Sequence, residues 1–316
     1  MSRLTLSVCC GSYDRTRALF DGSVKAKGID LKCTAYTPPP DDLFRRTLQH
    51  MEYDVSELSL SSYFHAHSIG LPLIAIPVFP SRKFRHYHMY GNVNSVRKVQ
   101  DLKGKKVGCA PSYYTTAAVW QRGILQHEYG IKPSQLTWYT EKAERLKFYV
   151  PKDVQLKIIE GGIGALNPLL ESGEIDAMIG PRPIPTTKTV KHLFDDPLKE
   201  ERDYFKRTRI YPIMHTIVVK ESVMKENPWV ATSLLDAFSK AKEVWKRYTS
   251  SDFGGLAWAS PYIQEEERVL GQDPYPYGIK GNRKVLETLI QYSVEQGVLK
   301  KKIKIEELFP PNTLDT

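Results

Sequence analysis

The sequence predicts an α/β protein built as two lobes, and three observations lead to this fold class. Short strands alternate with helices, as in a mainly parallel sheet covered on both faces. The chain has 316 residues, 41% hydrophobic and 26% charged, which is typical of a globular protein and sufficient for two lobes or one large domain. A polar stretch rich in turn formers, "YGNVNSVRKVQDLKGKK", separates two such series of elements.

The first series covers residues 3 to 79. "RLTLSVCC" alternates like a strand, the next helix opens near Asp14 and closes at Gly22, and the helix in "PPPDDLFRRTLQH" follows a proline stop. The same signals predict strands at 3–10, 28–37, 53–58 and 72–79, and helices at 13–22, 38–50 and 59–70.

The second series predicts strands at 106–111, 136–140, 154–160, 175–180 and 209–219, and helices at 113–130, 164–173 and 227–248. We expect two mixed sheets flanked by helices and joined by crossing strands near 87–93 and 211–219. The predicted first lobe is therefore discontinuous, 1–90 with 217–316, and the second is 91–216, with a ligand cleft between them. This is the layout of a type II periplasmic-binding-protein-like fold.

Composition narrows the classes of partner. The net charge of +9 and pI of about 9.1 would permit nucleic-acid binding, but the sequence has no zinc-finger, helix-turn-helix or RNP signature. The positive balance fits a small acidic substrate at least as well. We expect a small acidic molecule as ligand, and neither nucleic acid nor membrane as partner; a homo-oligomer is left open.

Cysteine usage and the N-terminus bear on the compartment. The four cysteines form no C-x-x-C pair and no zinc-type spacing, which indicates reduced thiols and no metal site. The N-terminus lacks the apolar core of a secretory signal, and no window approaches the length of a membrane span. We therefore expect a cytoplasmic protein.

Two predicted helices begin with hydroxyl side chains at the carboxyl end of a strand. In such sheets, helix N-termini at this edge can bind an anion. An anion clamp would use hydroxyls of "ELSLSSYF" and "APSYYTTAAVW"; the alternative is that they are plain helix caps. The residues concerned are Ser59, Ser61, Ser62, Tyr114, Thr115 and Thr116.

The stretch "FPSRKFRHYHMYGN" concentrates basic side chains before a glycine turn. If residues 82–90 are extended, Arg82, His86 and His88 share one face. We expect Arg82 and His86 to reach the ligand, and Arg85 to join them if the chain turns after Phe84. An exposed basic strand is the alternative, and the histidine pair lacks a carboxylate spaced for metal binding.

Further candidates stand at predicted strand ends. His215 lies inside the apolar crossing strand "PIMHTIVV" and can be a core residue or border the cleft. Glu57 ends its strand and can orient a histidine or cap the next turn. Arg15 and Arg182 are additional candidates for anion binding, with surface ion pairs as the alternative.

Several motifs then resemble a known family in order and spacing. "YDVSELSLSSYF", "IPVFPSRKFRH", "TAAVWQRGIL", "SGEIDAMIGPRP" and "DPYPYGIKGNR" are similar to the 4,5-dihydroxyphthalate decarboxylase family nearly from end to end. The resemblance implies a cytoplasmic enzyme with no metal or organic cofactor, whose ligand is a small aromatic carboxylate and which converts 4,5-dihydroxyphthalate to protocatechuate and carbon dioxide. The chain departs from the expected pattern in "CAPSYYTTAAVW" and at Tyr275, where the resemblance predicts tryptophan.

The chemistry of such a reaction assigns roles to these residues. A proton must reach the ring carbon that loses its carboxylate, which requires an acid. An arginine fork suits the carboxylate that stays, and the ring hydroxyls need polar partners. We expect Arg82 to hold the carboxylate and His86 to handle the proton, with His215 as its rival. An aromatic-acid-binding protein of solute-binding type, or another lyase on this fold, remains the alternative.

Overall fold

The computed structural model describes residues 3–36, 41–249 and 257–316. The strands, in chain order, are β1 Leu4–Cys10, β2 Ile29–Ala35, β3 Val55–Ser59, β4 Leu73–Arg82, β5 Met89–Asn92, β6 Lys106–Cys109, β7 Thr137–Thr140, β8 Gln155–Ile158, β9 Ala177–Ile179, β10 Val190–His192 and β11 Ile213–Lys220. The helices are α1 Arg17–Phe20, α2 Asp41–His50, α3 Leu60–Ser68, α4 Thr116–Tyr129, α5 Leu166–Ser172, α6 Pro197–Thr208, α7 Glu221–Glu226, α8 Val230–Thr249, α9 Ala259–Leu270, α10 Arg283–Glu295 and α11 Ile305–Leu308.

The chain divides into two compact units. The first unit comprises residues 1–82, 213–287 and 303–316, and the second comprises 83–212 and 288–302. The sequence placed 288–302 with the first lobe, but this segment packs against α4, where Arg122 Nε donates to Gln296 Oε1 at 2.8 Å. The ligand cleft expected between the lobes stays a prediction.

The first unit is built on a five-stranded mixed sheet in the order β2-β1-β3-β11-β4. β1 pairs in parallel with β2 and β3, whereas β11 enters antiparallel between β3 and β4. The helix α8 lays one apolar stripe on this sheet at the spacing that its amphipathic pattern predicts. The stripe consists of Val230, Ala231, Leu234, Ala237, Phe238 and Ala241.

The second unit is built on a six-stranded sheet in the order β10-β5-β9-β6-β7-β8. β9, β6, β7 and β8 are parallel, and β5 and β10 complete the sheet in antiparallel fashion. The expectation of two mixed sheets flanked by helices is confirmed. The carboxyl ends of β6 and β9 lie side by side, which brings the chain after Cys109 next to the chain after Ile179.

Two predicted elements are wrong in extent. Only Arg17–Phe20 of the helix expected at 13–22 is helical, because Thr16 Oγ1 bonds to the Gly11 carbonyl at 2.7 Å and competes with helical pairing. The extended run expected over 82–90 ends with β4 at Arg82, and His86–His88 forms a 3₁₀ turn.

Two further expectations from the sequence concern the start of α2 and membrane-spanning helices. The proline stop at residues 38–40 lies outside the described residues, and the helix that follows it begins at Asp41. Within the described part of the chain, no helix combines the length and apolar character needed to cross a bilayer.

Candidate active site

Glu57 and His215 meet on one face of the first sheet. Ser59 pairs with His215 and Glu57 with Ile217 across β3 and β11, so Glu57 and His215 are diagonal neighbours, within reach of long side chains. His215 Nδ1 lies 2.6 Å from Glu57 Oε1. The glutamate is fully buried, whereas the histidine side chain is 18% exposed, so Nε2 is the nitrogen available to a ligand.

Two further groups donate to the buried carboxylate of Glu57, and a third supports one of them; all three follow the neighbouring parallel strands β1 and β2. The Gly11 N–H, after β1, donates to Oε2 at 2.8 Å, and the Tyr13 hydroxyl donates to Oε1 at 2.6 Å. Tyr36, after β2, lies 2.9 Å from the Tyr13 oxygen and 3.4 Å from Oε1. Because Tyr13 gives its only proton to Glu57, Tyr36 donates to Tyr13.

Residue 11 must be glycine for this arrangement. A Cβ atom there would lie 2.6 Å from the Tyr13 ring and 3.0 Å from the Tyr36 hydroxyl. Any side chain would therefore push the tyrosines away from the carboxylate or displace the Gly11 N–H. The glycine after β1 is thus part of the site, although it carries no functional group.

The electrostatics keep Glu57 ionised and both phenols protonated. Burial alone would raise the pKa of Glu57, but the bonds from His215, Tyr13 and the Gly11 N–H outweigh it and hold the pKa below its usual value. Burial and the negative charge of Glu57 raise the pKa of Tyr13 and of Tyr36 far above the usual range. The cluster is therefore a carboxylate that orients a histidine, with tyrosine donors behind it.

Arg15 stands beside this cluster between two aromatic rings. Its guanidinium carbon lies 4.4 Å from the centre of the Tyr13 ring and 4.3 Å from that of Tyr275. Its Nε donates to the Pro80 carbonyl at 2.7 Å. The stacking and the backbone bond fix a half-buried cation in place, and Tyr275, where the family resemblance predicted tryptophan, forms one side of it.

The serines expected in the clamp lie at the start of α3 and are buried. Ser59 is opposite His215 in the strand register, and its side chain makes no cap bond to the helix. Ser61 and Ser62 follow in the first turn, 0% and 6% exposed. The plain-cap alternative is thus not realised by the Ser59 side chain, and the anion role of all three serines stays a prediction.

Arg82, expected to hold the carboxylate, is engaged with the protein itself. Its Nη2 donates to the Pro276 carbonyl at 2.9 Å and to the Asn282 side-chain oxygen, and the residue is 6% exposed. Asn282 donates to the same carbonyl, so Arg82 fastens the 276–282 loop. Its substrate role stays a prediction, and its surroundings favour Arg15 instead.

His86, the leading candidate for proton transfer, is fully buried in the second unit. Its ring lies among Tyr129, Phe194 and Tyr204, with centroids 5.2 to 6.5 Å away. Within the described residues neither ring nitrogen has a hydrogen-bond partner. Burial, aided by the charge of Arg207, lowers the pKa of His86 to about 3. The assignment stays a prediction, but a neutral, enclosed imidazole favours His215 for this role.

Arg85 belongs to the second unit, where the chain turns after Phe84 as the sequence analysis considered. The residue is 3% exposed, and its Nη1 lies 3.4 Å from the Pro181 carbonyl. Burial lowers the pKa of Arg85 to about 10 despite the nearby charge of Glu201. It stays a predicted ligand contact, now in the second unit rather than on an extended strand.

The start of α4, the other expected anion clamp, is occupied by a carboxylate of the protein. Glu144 accepts from the Tyr114 N–H at 2.8 Å and from the Ser112 hydroxyl at 3.0 Å. Thr115 caps the helix by accepting from the Ala118 N–H at 3.3 Å, as the cap alternative predicts, and Thr116 is buried. A ligand anion could bind these groups only by displacing Glu144.

Arg182 lies on a cavity of about 120 Å³ within the second unit. The cavity opens beside the carboxyl ends of β6 and β9, and its walls are largely apolar. Its lining includes Pro111, Pro181, Pro183, Met178 and Ile184, with Tyr90, His88, Glu141, Asn167 and Arg182 as polar members.

Sequence reasoning missed Tyr13, Tyr36 and the role of Gly11. A usable signal was present: β2, β1 and β3 were each predicted as strands of a mainly parallel sheet, so their carboxyl ends share an edge. Gly11, Tyr13 and Tyr36 directly follow two of these strands. Polar residues at this edge, read together with Glu57, would have indicated the cluster.

Two curated enzymes are similar in sequence to this chain. A curated 4,5-dihydroxyphthalate decarboxylase of Comamonas testosteroni is 36% identical over 333 aligned positions, covering 100% of this chain and 99% of the relative. One of Pseudomonas putida is 39% identical over 221 positions, covering 65% and 83%. No protein-family model matches the chain.

Solved structures with a similar fold include periplasmic sulfonate-binding proteins. The periplasmic aliphatic sulphonate binding protein SsuA of Escherichia coli superposes with a TM-score of 0.56 at 14% identity, over 98% of this chain and 92% of that chain. The periplasmic sulfonate-binding protein SsuA of Methylobacillus flagellatus gives 0.54 at 12% identity, over 99% and 93%. These similarities confirm the periplasmic-binding-protein-like fold and nothing further.

Proposed function

The chain belongs to the 4,5-dihydroxyphthalate decarboxylase family, and on this premise we propose that it is a carboxy-lyase that removes one carboxylate from 4,5-dihydroxyphthalate. The products are protocatechuate and carbon dioxide. The observation that carries the assignment of the site is the Glu57–His215 pair, 2.6 Å apart and with one partner fully buried. We further propose that the reaction takes place in the cytoplasm.

The substrate is built for this chemistry. Each carbon that bears a carboxylate is para to a hydroxyl, whose oxygen can share the positive charge when that carbon is protonated. His215, as imidazolium, gives the proton on Nε2 to this carbon, and the ring π electrons form the new C–H bond. The bond to the carboxylate then breaks, its electron pair restores the aromatic ring, and carbon dioxide leaves. One proton per turnover returns to His215 from water.

Glu57 makes this proton transfer possible in two ways. Its buried carboxylate stabilises the imidazolium, and its bond to Nδ1 turns Nε2 toward the substrate. The donors Tyr13, Tyr36 and the Gly11 N–H keep that carboxylate charged and in place. Glu57 is thus a positioning residue, and His215 is the catalytic one.

Arg15 is the candidate partner for the carboxylate that stays on the ring. Its guanidinium is stacked between Tyr13 and Tyr275, so it is pre-organised and loses little freedom when an anion binds. Tyr13 touches both Arg15 and Glu57, which places the anion anchor next to the histidine that supplies the proton. This contact supports Arg15 over Arg82.

The test is a turnover assay with purified protein. Incubation with 4,5-dihydroxyphthalate should yield equal amounts of carbon dioxide and protocatechuate, and His215→Gln should reduce kcat by about a hundredfold or more while the substrate still binds. Tight binding of the diacid by the wild-type protein with no release of carbon dioxide would instead identify an aromatic-acid-binding protein.

A further inference from the structure

A buried lysine of the first unit holds the loop that carries Tyr275. Lys242 lies on α8 and is 5% exposed. Its Nζ donates to the Asp273 carboxylate at 2.5 Å and to the Tyr275 carbonyl at 2.9 Å, and it lies 4.6 Å from the centre of the Tyr277 ring. A buried ammonium is costly unless it is paired, so these contacts with a single loop keep the charge of Lys242 inside the fold.

Asp273 and Lys242 together hold both backbone groups of Tyr275. Asp273 Oδ1 accepts from the Tyr275 N–H at 3.1 Å, as in an Asx turn, while its Oδ2 accepts from Lys242. Lys242 in turn donates to the Tyr275 carbonyl. Because one ion pair holds the N–H and the carbonyl of the same residue, the backbone of Tyr275 is fixed in orientation.

The backbone of Tyr275 directs its ring onto Arg15. The guanidinium carbon of Arg15 lies 4.3 Å from the centre of this ring. Trp245, three positions after Lys242 on the same side of α8, packs edge-on against the ring, with centroids 5.8 Å apart. The helix α8 therefore contacts Tyr275 twice, at its backbone and at its ring, and the position of one aromatic wall beside Arg15 depends on this helix.

We propose that Lys242 is a positioning residue for Arg15, the anchor of the carboxylate that stays on the ring, and that it acts through Asp273 and Tyr275. The inference rests on the proposed function for the role of Arg15. The bond from Lys242 to the Tyr275 carbonyl holds one wall against the guanidinium, so Arg15 loses less freedom when an anion binds. Loss of this support weakens substrate binding and leaves the proton transfer from His215 unchanged, so it appears in KM and not in kcat.

The test measures binding without turnover. Phthalate has both carboxylates but lacks the hydroxyls that the reaction needs, so calorimetric titration with phthalate reports on the anchor alone. Lys242→Met keeps most of the apolar stem and removes the ammonium. We expect it to weaken phthalate binding by about three- to tenfold, to raise KM for 4,5-dihydroxyphthalate by a similar factor, and to leave kcat within about twofold of the wild type.

A double-mutant cycle distinguishes positioning from a general loss of packing. Arg15→Gln removes the anchor, so it should weaken phthalate binding by itself, and adding Lys242→Met should then cause no further loss. The matched control is Lys240→Met. Lys240 is exposed on the same helix, where it pairs with Asp236 at 2.7 Å, and its replacement should change neither phthalate affinity nor KM. The inference is overturned by losses that add in the double variant, or by a wild-type affinity in Lys242→Met or in Arg15→Gln.

Asp273→Asn covers the case in which Lys242→Met does not fold. The Asp273 side chain is 33% exposed, and the amide oxygen of asparagine can still accept from the Tyr275 N–H, so only the charge that holds Lys242 is removed. We expect phthalate binding to weaken by about threefold, again only when Arg15 is present; unchanged affinity contradicts the proposal. Dependence of phthalate affinity on Lys242 without release of carbon dioxide from 4,5-dihydroxyphthalate would refute the proposed reaction alone, whereas normal turnover with affinities insensitive to Lys242 would refute this inference alone.

Discussion

Replacing His86 by phenylalanine separates a structural histidine from a catalytic one. The wild-type imidazole is fully buried among aromatic rings, with no partner for either nitrogen within the described residues. Phenylalanine suits the same surroundings and removes the cost of two unsatisfied polar atoms, about 1–3 kcal/mol for each such group. We therefore expect His86→Phe to fold at least as stably as the wild type at neutral pH.

The lowered pKa of His86 also predicts how much stability the protein loses at low pH. The pKa of His86 falls from 6.5 in the unfolded chain to about 3 in the fold, so between these values the unfolded chain binds the extra proton and stability is lost as the pH falls. At about pH 5, which is about 1.5 pH units below the unfolded-state pKa, this loss amounts to roughly 2 kcal/mol, because each pH unit contributes about 1.4 kcal/mol. His86→Phe should abolish this part of the acid-dependent loss of stability. The charged and titratable groups around the ring, Tyr129, Tyr204 and Arg207, are unchanged in the variant.

The assay is urea unfolding at about pH 7.5 and about pH 5, read by hydrogen exchange in peptides of the second unit. His127→Phe is the control, because His127 lies partly exposed beside Glu295. Equal acid sensitivity in wild type and His86→Phe would refute the reasoning on burial. A folded His86→Phe whose kcat drops a hundredfold or more would show that His86, not His215, handles the proton.

Three further predictions concern the first unit. Glu57→Gln should lower kcat by at least about a hundredfold with little change in KM, because the neutral amide no longer stabilises the imidazolium that gives up the proton; equal kcat would remove Glu57 from the mechanism. Tyr13→Phe should move the acidic limb of the pH–rate profile to higher pH, because the Tyr13 hydroxyl helps to hold the pKa of Glu57 below its usual value; an unmoved limb would reduce Tyr13 to a packing residue. Arg15→Lys should raise KM by about tenfold, as a lost charged hydrogen bond does. Arg82→Lys should chiefly lower the melting temperature. The reverse pattern would show that Arg82, not Arg15, binds the carboxylate that stays on the ring.

Most of the strands and helices could be predicted because their signals are local. The apolar stripe of α8 repeats at helical spacing over twenty residues, and β1 alternates over seven. The three-residue edge strand β10 has too few residues to show a period of two. The turn after Arg82 also has a non-local cause, because the Lys83 N–H bonds to the Pro212 carbonyl at 3.0 Å, about 130 positions along the chain.

The candidate site could be predicted only in its parts. His215 was identified as a candidate because it interrupts an apolar strand, and Glu57 because it stands at the carboxyl end of its predicted strand. The basic stretch around His86 was assigned to the ligand because its basic residues are close together in the sequence. Closeness in sequence does not determine which of these residues are buried. Of its three candidates, Arg82 holds a loop in place, Arg85 is buried near the Pro181 carbonyl, and His86 is enclosed by aromatic rings.

What brings Glu57 and His215 together is register, which a single sequence does not encode locally. His215 lies 158 positions after Glu57, and β11 enters antiparallel between β3 and β4, so the pairing of Ser59 with His215 joins segments that are far apart in the chain. A shift of one residue would turn His215 to the opposite face of the sheet. The same register sets the apolar residues Ile217 and Val219 into the core below Glu57, so burial of those side chains fixes the position of the histidine. The geometry of the Glu57–His215 pair is therefore specified by the apolar residues of the strand that carries His215, and Ile217→Ala should loosen the pair and reduce kcat as well as stability.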